Sequence, residues 1–218
     1  MQFRFDLFIQ TLPFLLEGLK TTIGLTLLAM VFGIVFGLIV ALFRISKSPL
    51  LRGLSSIYVD VLRGTPLLLQ ILVVYYVFPG FGLKLDAFTS GVVALSFNSA
   101  AYISEIFRAG IESISFGQFE AANSLGMNYY QTMKYVILPQ TIRRVIPPIT
   151  NEIVALLKDT SLVMITGIAE LTYKSKQISA ATANVLTPYL AAGIIYLLLT
   201  IPLTRLSQNL ERRFVKGD

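Results

Sequence analysis

The chain has 218 residues, of which 55% are hydrophobic and only 14% are charged, whereas soluble domains have about 25% charged residues. It contains no Cys and no His, which excludes disulfides, cysteine–zinc sites, thiol nucleophiles and Ser-His-Asp catalysis. The net charge of +6 comes from basic residues between apolar runs, so it indicates membrane topology rather than nucleic-acid binding. These features together predict an all-α integral membrane protein.

Five apolar stretches have roughly the length of a bilayer-spanning helix, about 20 residues. They cover residues 23–43, 57–78, 87–104, a stretch from residue 145, and 188–203. The first 22 residues contain charged side chains but no signal-peptide pattern, so we expect them to be retained as an amphipathic helix at the membrane interface. Pro66 predicts a kink in the second span, and Pro147-Pro148 predicts an interruption of the fourth.

The Lys and Arg residues indicate the orientation of the chain, because cytoplasmic loops retain them. Most follow span one, flank residues 112–139, or follow span five: Arg44, Lys47, Arg52, Arg63, Arg108, Lys134, Arg143, Arg144, Arg205, Arg212, Arg213 and Lys216. Fewer fall on the other side: Arg4, Lys84, Lys174 and Lys176. This distribution predicts five spans in a single transmembrane domain covering residues 1–218. Its N-terminus lies outside, and its C-terminus and residues 112–139 lie in the cytoplasm.

Residues 120–139 form the least apolar loop between spans and have helix signals. The run from Glu120 to Leu125 suits a short helix, and Gly126 is a natural terminator. A second helix is predicted from Asn128 until Pro139 stops it.

This loop resembles the cytoplasmic EAA loop of ABC importer permeases. Glu-Ala-Ala is followed after three residues by Gly, and nine residues later by an aliphatic-x-Leu-Pro sequence; Val136 stands where that pattern usually has Ile. Residues 63–68, 99–108 and 157–162 also resemble stretches of the polar amino acid subfamily, which contains permeases for glutamine, histidine, arginine and similar substrates.

The resemblance implies that the loop is a coupling helix that docks on an ATP-binding subunit. The contact strip would consist of Glu112, Gln118, Glu120, Ala121, Ala122, Leu125 and Gly126. A plain amphipathic surface connector is the alternative reading of the same residues. The implied partners are two ATP-binding subunits, a second permease subunit identical or related to this chain, an external substrate-binding protein and an amino acid.

The chain itself lacks a phosphate-binding loop, because residues 18–21 have neither the upstream Gly nor the adjacent Gly-Lys pair of that motif. We therefore expect it not to be an enzyme and to have no catalytic residues, metal site or cofactor. ATP and Mg²⁺ would be bound by the partner ATPase. The expected location is the inner, or cytoplasmic, membrane.

A substrate path is predicted around the fourth span, where Glu152 and Asp159 are seven positions apart and share one helix face. Charges at membrane depth cost about 2.5 to 3.5 kcal/mol each and survive mostly where they face a cavity or a partner. A zwitterion needs both donors and acceptors, and the candidates are Asn98, Glu152, Lys158, Asp159, Thr160 and Ser161. The two acids favour a cationic amino acid over glutamine.

Other readings of these residues stay open. Lys158 and Asp159 would reach water if they lie at the outer end of the span, and Glu152 would be structural if it pairs with Arg143 or Arg144. An ion-coupled secondary amino acid transporter would use Glu152 and Asp159 as proton or sodium sites. A secondary transporter needs no cytoplasmic coupling helix and should contain inverted repeats, which are not visible in the sequence.

Two local ion pairs are predicted from helical spacing. Asp60 with Arg63 would steady the start of the second span, and Glu105 with Arg108 would close the third.

Overall fold

The computed structural model describes residues 2–214, and every regular element in that range is helical. The α-helices are α1 (Phe5–Arg44), α2 (Pro49–Gly64), α3 (Leu67–Leu72), α4 (Ala87–Glu112), α5 (Phe116–Ser124), α6 (Tyr129–Thr132), α7 (Leu138–Asp159), α8 (Leu171–Thr182) and α9 (Leu186–Phe214). Single π-helical stretches follow α3 and α6, at Val73–Val77 and Met133–Ile137, and 3₁₀ segments cover Phe78–Phe81 and Thr160–Thr166. The predicted all-helical fold is confirmed for this part of the chain. Lys216 lies outside the described residues.

Helix α1 has 40 residues, which at about 1.5 Å per residue makes it about twice as long as the bilayer core is thick. The prediction of a separate interfacial helix over the first 22 residues was therefore wrong. Pro13 lies inside α1 without ending it. Tertiary packing explains the continuity, because Leu15 is fully buried in a cluster with Leu171 and Ala191 from α8 and α9.

The second half of α1 crosses α4 at very short range. Ala29, Gly33 and Gly37 are all buried along one stripe of α1. An added Cβ on Gly33 would stand 3.1 Å from the Ser99 Oγ, and one on Gly37 would stand 2.8 Å from the Ile103 Cγ2. The small residues therefore let the two backbones pack closely, as the sequence spacing indicates.

The first described residues are hydrogen-bonded to the start of α9. The backbone N–H of Arg4 donates to the Thr187 hydroxyl at 3.0 Å, and the Asn184 side chain donates to the Gln2 carbonyl at 3.1 Å. Glu170, whose side chain is fully buried, precedes α8 and accepts hydrogen bonds from the Thr172 and Tyr173 N–H groups. The N-terminal half of α1, α8 and the start of α9 thus form one packed unit.

The predicted second span is broken rather than kinked. Helix α2 ends at Gly64, and the following helical segment Leu67–Phe81 leaves it at 106°. Pro66 has no N–H, so the Leu62 carbonyl four residues earlier loses its helical donor. The side-chain amides of Gln70 and Asn98 donate to that carbonyl instead, at 2.8 and 3.3 Å. Side chains therefore stabilise the bend.

Helix α7 is continuous where the sequence predicted an interruption. Pro147 and Pro148 lie inside it, and the helix ends only at Asp159, where a 3₁₀ segment begins. Pro139 also does not stop a helix: it lies in the first turn of α7, the position where a missing N–H matters least. The Ser207 hydroxyl of α9 donates to the Pro147 carbonyl at 3.0 Å, which fixes the proline-containing turn against its neighbour.

Among the described residues, α1 and α9 are each long and apolar enough to cross a membrane, and the bent pair of α2 with Leu67–Phe81 makes a third span if it is counted as one. Helices α4 and α7 carry more polar and charged side chains and pack against α1, α9 and each other.

Candidate transport path and coupling surface

The loop between α4 and α7 contains the short helix that the sequence predicts. The Ser115 hydroxyl caps the start of α5 by accepting from the Gly117 N–H, and the helix ends at Ser124. Gly126 follows with φ of +75°, a left-handed conformation that glycine adopts without strain. The role of Gly126 as terminator is confirmed.

Most of the predicted coupling residues are exposed around α5: Glu112, Gln118, Glu120, Ala121, Leu125 and Gly126. Leu125 is 81% exposed, which is unusual for a leucine that has a folded chain beside it. Ala122 is the exception, since it is buried against the rest of the loop. The surface that α5 offers therefore has an apolar tip and an acidic side.

Two sets of hydrogen bonds hold the residues around α5 in place. Asn128 and Gln131 form a reciprocal capping box at the start of α6, with both hydrogen bonds at 2.9 Å. The Arg144 guanidinium of α7 donates to the Ser113 carbonyl at 2.6 Å and to its hydroxyl at 3.0 Å. Because Ser113 joins α4 to the loop, these hydrogen bonds link the loop to α7.

A cleft of about 720 Å³ begins at this junction and runs between α2, α4 and α7. Its lining consists of Arg63, Tyr102, Glu105, Ile106, Ala109, Gly110, Ser113, Arg144, Pro148 and Glu152. Gly110 permits close packing of α4 on α7, since an added Cβ would stand 2.4 Å from the Val145 Cγ1.

A second cavity of about 250 Å³ continues the cleft on its deeper side, because both are lined by Tyr102 and Glu152. The remaining lining residues are Thr65, Leu67, Asn98, Ala155 and Asp159. The linings of the two adjoining cavities together extend from Ser113 at the loop to Asp159 at the end of α7.

Both acids of the predicted path face this second cavity. Glu152 is half-buried and accepts a hydrogen bond from the Ser99 hydroxyl at 3.1 Å, and Asp159 lies two turns further along α7. The seven-residue spacing thus places the two carboxylates on one face, as predicted. Pairing of Glu152 with Arg143 or Arg144 does not occur in the structure, where Arg144 bonds Ser113 instead.

Asn98 also lines the second cavity, but its amide has structural partners. It donates to the Gln70 side-chain oxygen at 3.0 Å and to the Leu62 carbonyl. The structure therefore brings Asn98, Glu152 and Asp159 together.

The other three predicted path residues lie outside the lining of the two cavities. Lys158 is exposed, and Ser161 is half-buried. Thr160 is fully buried and donates its hydroxyl to the Leu157 carbonyl at 2.8 Å.

The mouth of the cleft contains residues that the sequence interpretation missed as site residues. The Arg63 guanidinium lies over the Tyr102 ring, 5.1 Å from its centroid. The predicted pair of Asp60 with Arg63 was wrong, because no such ion pair forms among residues 2–214. Nothing in the linear spacing links Arg63 to Tyr102, since they lie on two separate helices, α2 and α4, that pack together.

Glu105, in contrast, is neutralised by arginines at both carboxylate oxygens. The predicted contact with Arg108 is confirmed, and Arg44 at the end of α1 supplies the second partner. Arg108 also reaches Glu112 at 2.5 Å. Within the part of the chain that the structure describes, no group of acidic side chains has the arrangement of a metal site.

Residues 33–216 match the family described as binding-protein-dependent transport system inner membrane component. The chain belongs to this family. Members of the binding-protein-dependent transport family supply a membrane component without a catalytic role. The family match and the structural likeness to an amino acid ABC transporter identify the chain as an ABC permease rather than an ion-coupled transporter.

Curated relatives of this permease cover almost all of its length. It is 39% identical to the arginine transport system permease protein ArtQ of Bacillus subtilis (strain 168), over 100% of both chains. It is 44% identical to the L-cystine transport system permease protein TcyB of the same organism, over 92% of this chain and 86% of that one. The glutamine transport system permease protein GlnP of Escherichia coli (strain K12) is 36% identical over 98% of each chain.

Solved structures agree with the permease fold. A chain from the crystal structure of an amino acid ABC transporter with histidines superposes with a TM-score of 0.93 at 39% identity, covering 98% of this permease and 100% of that chain. A chain of the MetNI methionine ABC transporter in an inward-facing conformation superposes with a TM-score of 0.70. The methionine transporter is only 18% identical over 90% of this permease and 95% of its own chain, so it shows the fold alone.

Proposed function

We propose that this permease forms the translocation path of an ATP-driven importer for polar amino acids, with a preference for basic ones. The observation that carries the proposal is the continuous cleft that joins two half-buried acids, Glu152 and Asp159, to the base of the exposed helix α5. The permease resembles transporters for arginine, cystine and glutamine and a structure determined with histidines, which supports amino acids as the substrate class.

The membrane arrangement belongs to the same proposal. Helix α1, the bent pair of α2 with Leu67–Phe81, α4, α7 and α9 are the five spans, in a single transmembrane domain of residues 1–218. The N-terminus lies outside and the C-terminus in the cytoplasm. Basic residues support this orientation, because Arg44 ends α1, Arg212 and Arg213 end α9, and Arg144 stands at the coupling loop.

Helix α5 and its surroundings, residues 112–139, dock on an ATP-binding subunit in the cytoplasm. Two such subunits bind ATP and Mg²⁺, and the permease contributes the contact strip described above. Exposed Leu125 would fill an apolar pocket, and Glu120 would pair with a basic side chain. The rigid connection from α5 through Ser113 to Arg144 supports transmission of the nucleotide-driven movement to α7.

The remaining partners follow from the shape of the single chain. One side of the cleft is open, so a second permease subunit, the same chain or a relative, encloses the path. A substrate-binding protein delivers the amino acid on the outer side of the inner membrane. Within the path, Glu152 and Asp159 bind the cationic groups of the substrate and Asn98 lines it, while Lys158, Thr160 and Ser161 stand beside it.

Reconstitution of the assembled transporter tests the proposal. The permease is co-expressed with an ATP-binding subunit, purified, placed in nanodiscs and assayed for ATP hydrolysis with a binding protein and each proteinogenic amino acid in turn. We expect a stable complex whose ATPase activity rises with arginine, lysine or histidine. Failure to form a complex, or uptake driven by an ion gradient without ATP, would contradict it.

A further inference from the structure

Arg63 is a cation without a carboxylate partner at the mouth of the substrate cleft. Among residues 2–214 it forms no ion pair, and its guanidinium contacts the Tyr102 ring. The nearby Glu105 is not available to it, because Arg44 and Arg108 occupy both oxygens of that carboxylate. Arg63 therefore faces the cleft without a direct ion pair, although its charge acts at longer range on Glu105 and Glu152.

Charges of both signs line the cleft, whereas the charged residues that line the second cavity are both acids, Glu152 and Asp159. Arg63 lies on the side of the loop and Asp159 lies at the deeper end, while Tyr102 and Glu152 line both cavities between them. Thr65, two residues after Arg63, already faces the deeper cavity. A molecule that spans the junction would meet a guanidinium at one end and carboxylates at the other.

We propose that Arg63 binds the α-carboxylate of the transported amino acid, whose cationic groups face Glu152 and Asp159. This assignment rests on the proposed function and makes Arg63 a specificity-determining residue. A guanidinium is suited to the role, since it binds a planar carboxylate through two parallel hydrogen bonds. The ligand class is then α-amino acids with a free carboxylate, as opposed to simple organic cations.

Tyr102 positions the guanidinium for this contact. A cation that lies over an aromatic face keeps its edge N–H groups free to donate to another acceptor. The contact also reduces the number of side-chain conformations that Arg63 must give up when it binds a ligand. Tyr102 is thus a positioning residue, and the effect of its removal should be smaller than the effect of losing Arg63.

The test compares L-arginine with agmatine, which is arginine without its carboxylate. Both compete with radiolabelled L-arginine for the purified permease–ATPase complex in nanodiscs, without binding protein. The wild-type complex should prefer L-arginine by about tenfold or more, the size of one charge-assisted contact. Arg63→Gln should bring this ratio close to one, and Arg63→Lys should retain part of it.

Two further variants keep the result interpretable. Arg52→Gln removes a cation from the same helix outside the cleft and should leave the ratio unchanged. Tyr102→Leu leaves the charge of Arg63 in place and should lower the L-arginine-to-agmatine ratio partially. It replaces Arg63→Gln as the test variant if Arg63→Gln does not fold. Folding of each variant is checked by its melting temperature.

Three outcomes would overturn the assignment. In the first, wild type does not bind L-arginine; in the second, Arg63→Gln keeps the wild-type ratio. In the third, Arg63→Gln strengthens binding of both compounds equally, which would make Arg63 an internal counter-ion of Glu152. ATPase stimulation by loaded binding protein is measured in parallel. If ATPase stimulation persists in Arg63→Gln and the L-arginine-to-agmatine ratio stays at the wild-type value, only the Arg63 assignment fails. If the wild-type complex shows no ATPase stimulation, the proposed function itself fails.

Discussion

Gly37 faces Ile103 so closely that an added Cβ would stand 2.8 Å from the Ile103 Cγ2 and 3.0 Å from the Ala100 carbonyl oxygen. The second neighbour is backbone, which cannot rotate away. This contact holds α1 against α4, and α4 supplies Asn98, Tyr102 and Glu105 to the path. The width of the path thus depends on a glycine that does not line it.

Gly37→Ala should therefore destabilise the permease by about 1–3 kcal/mol, because overpacking forces the two helices apart. The measurement is thermal unfolding of the purified protein in detergent. Gly24→Ala is the matched control, since Gly24 lies in the same helix with nothing within 4 Å of an added Cβ. There, alanine should be neutral or stabilising, by up to about 1 kcal/mol. Similar melting temperatures for the two variants would show that the crossing is less tight.

Gln70→Leu should destabilise the bend between α2 and α3 by about 1–3 kcal/mol, because the Leu62 carbonyl loses its shorter donor. Exposed Gln10→Leu is the control. Combination with Asn98→Ala should give less than the sum of the single losses, since both side chains serve one carbonyl and contact each other. Strict additivity in the unfolding measurements would mean that the two amides act separately.

Glu120→Lys should uncouple ATP hydrolysis from transport, because the substitution reverses a charge on the contact strip. The fold should stay intact, because the Glu120 side chain is exposed. A loss of about tenfold in substrate-stimulated ATPase activity is expected for one charged contact. Gly126→Asp should act in the same direction, since it adds a charged side chain at φ of +75°. Glu211→Lys, exposed on α9 away from α5, should retain normal coupling. Full activity of both loop variants would support the plain surface connector.

At least one of Glu152→Gln and Asp159→Asn should weaken uptake of arginine more than uptake of glutamine, because the carboxylate that faces the cationic side chain has no ionic partner in glutamine. The expected change in the arginine-to-glutamine ratio is about tenfold, measured by competition in proteoliposomes. Lys158→Gln changes the charge of the neighbouring residue, which is exposed outside the cavity, and should leave the ratio unchanged. Wild-type ratios for both acid variants would make these carboxylates structural.

The sequence predicted the features that depend on local chemistry or helical spacing. Gly126 terminates α5, Glu105 pairs with Arg108, and Glu152 and Asp159 share a face of α7. Each of these relations involves residues within two helical turns. The residues predicted to form a contact strip around α5 are exposed except for Ala122, which is buried, and their role as a contact strip stays a prediction.

Proline was the main source of error, because its effect depends on distant partners. Pro66 breaks its helix where Gln70 and Asn98 satisfy the Leu62 carbonyl, whereas Pro147 and Pro148 are accommodated inside α7. Arg63 and Tyr102 come together only through the packing of α2 on α4. Linear spacing contains no signal for such contacts, so the mouth of the path could not be predicted.

The contacts of the N-terminal residues with α8 and the start of α9 set an order for biosynthesis. Arg4 is hydrogen-bonded to Thr187, 183 residues later, and Leu171 donates to Thr22 across a separation of 149. A chain emerging from the ribosome can therefore insert α1 early but cannot complete the packing of its N-terminal half until α8 and α9 have been made. Truncations that remove α9 should leave that half of α1 as an unpacked apolar segment, the kind of surface that membrane quality-control proteases degrade.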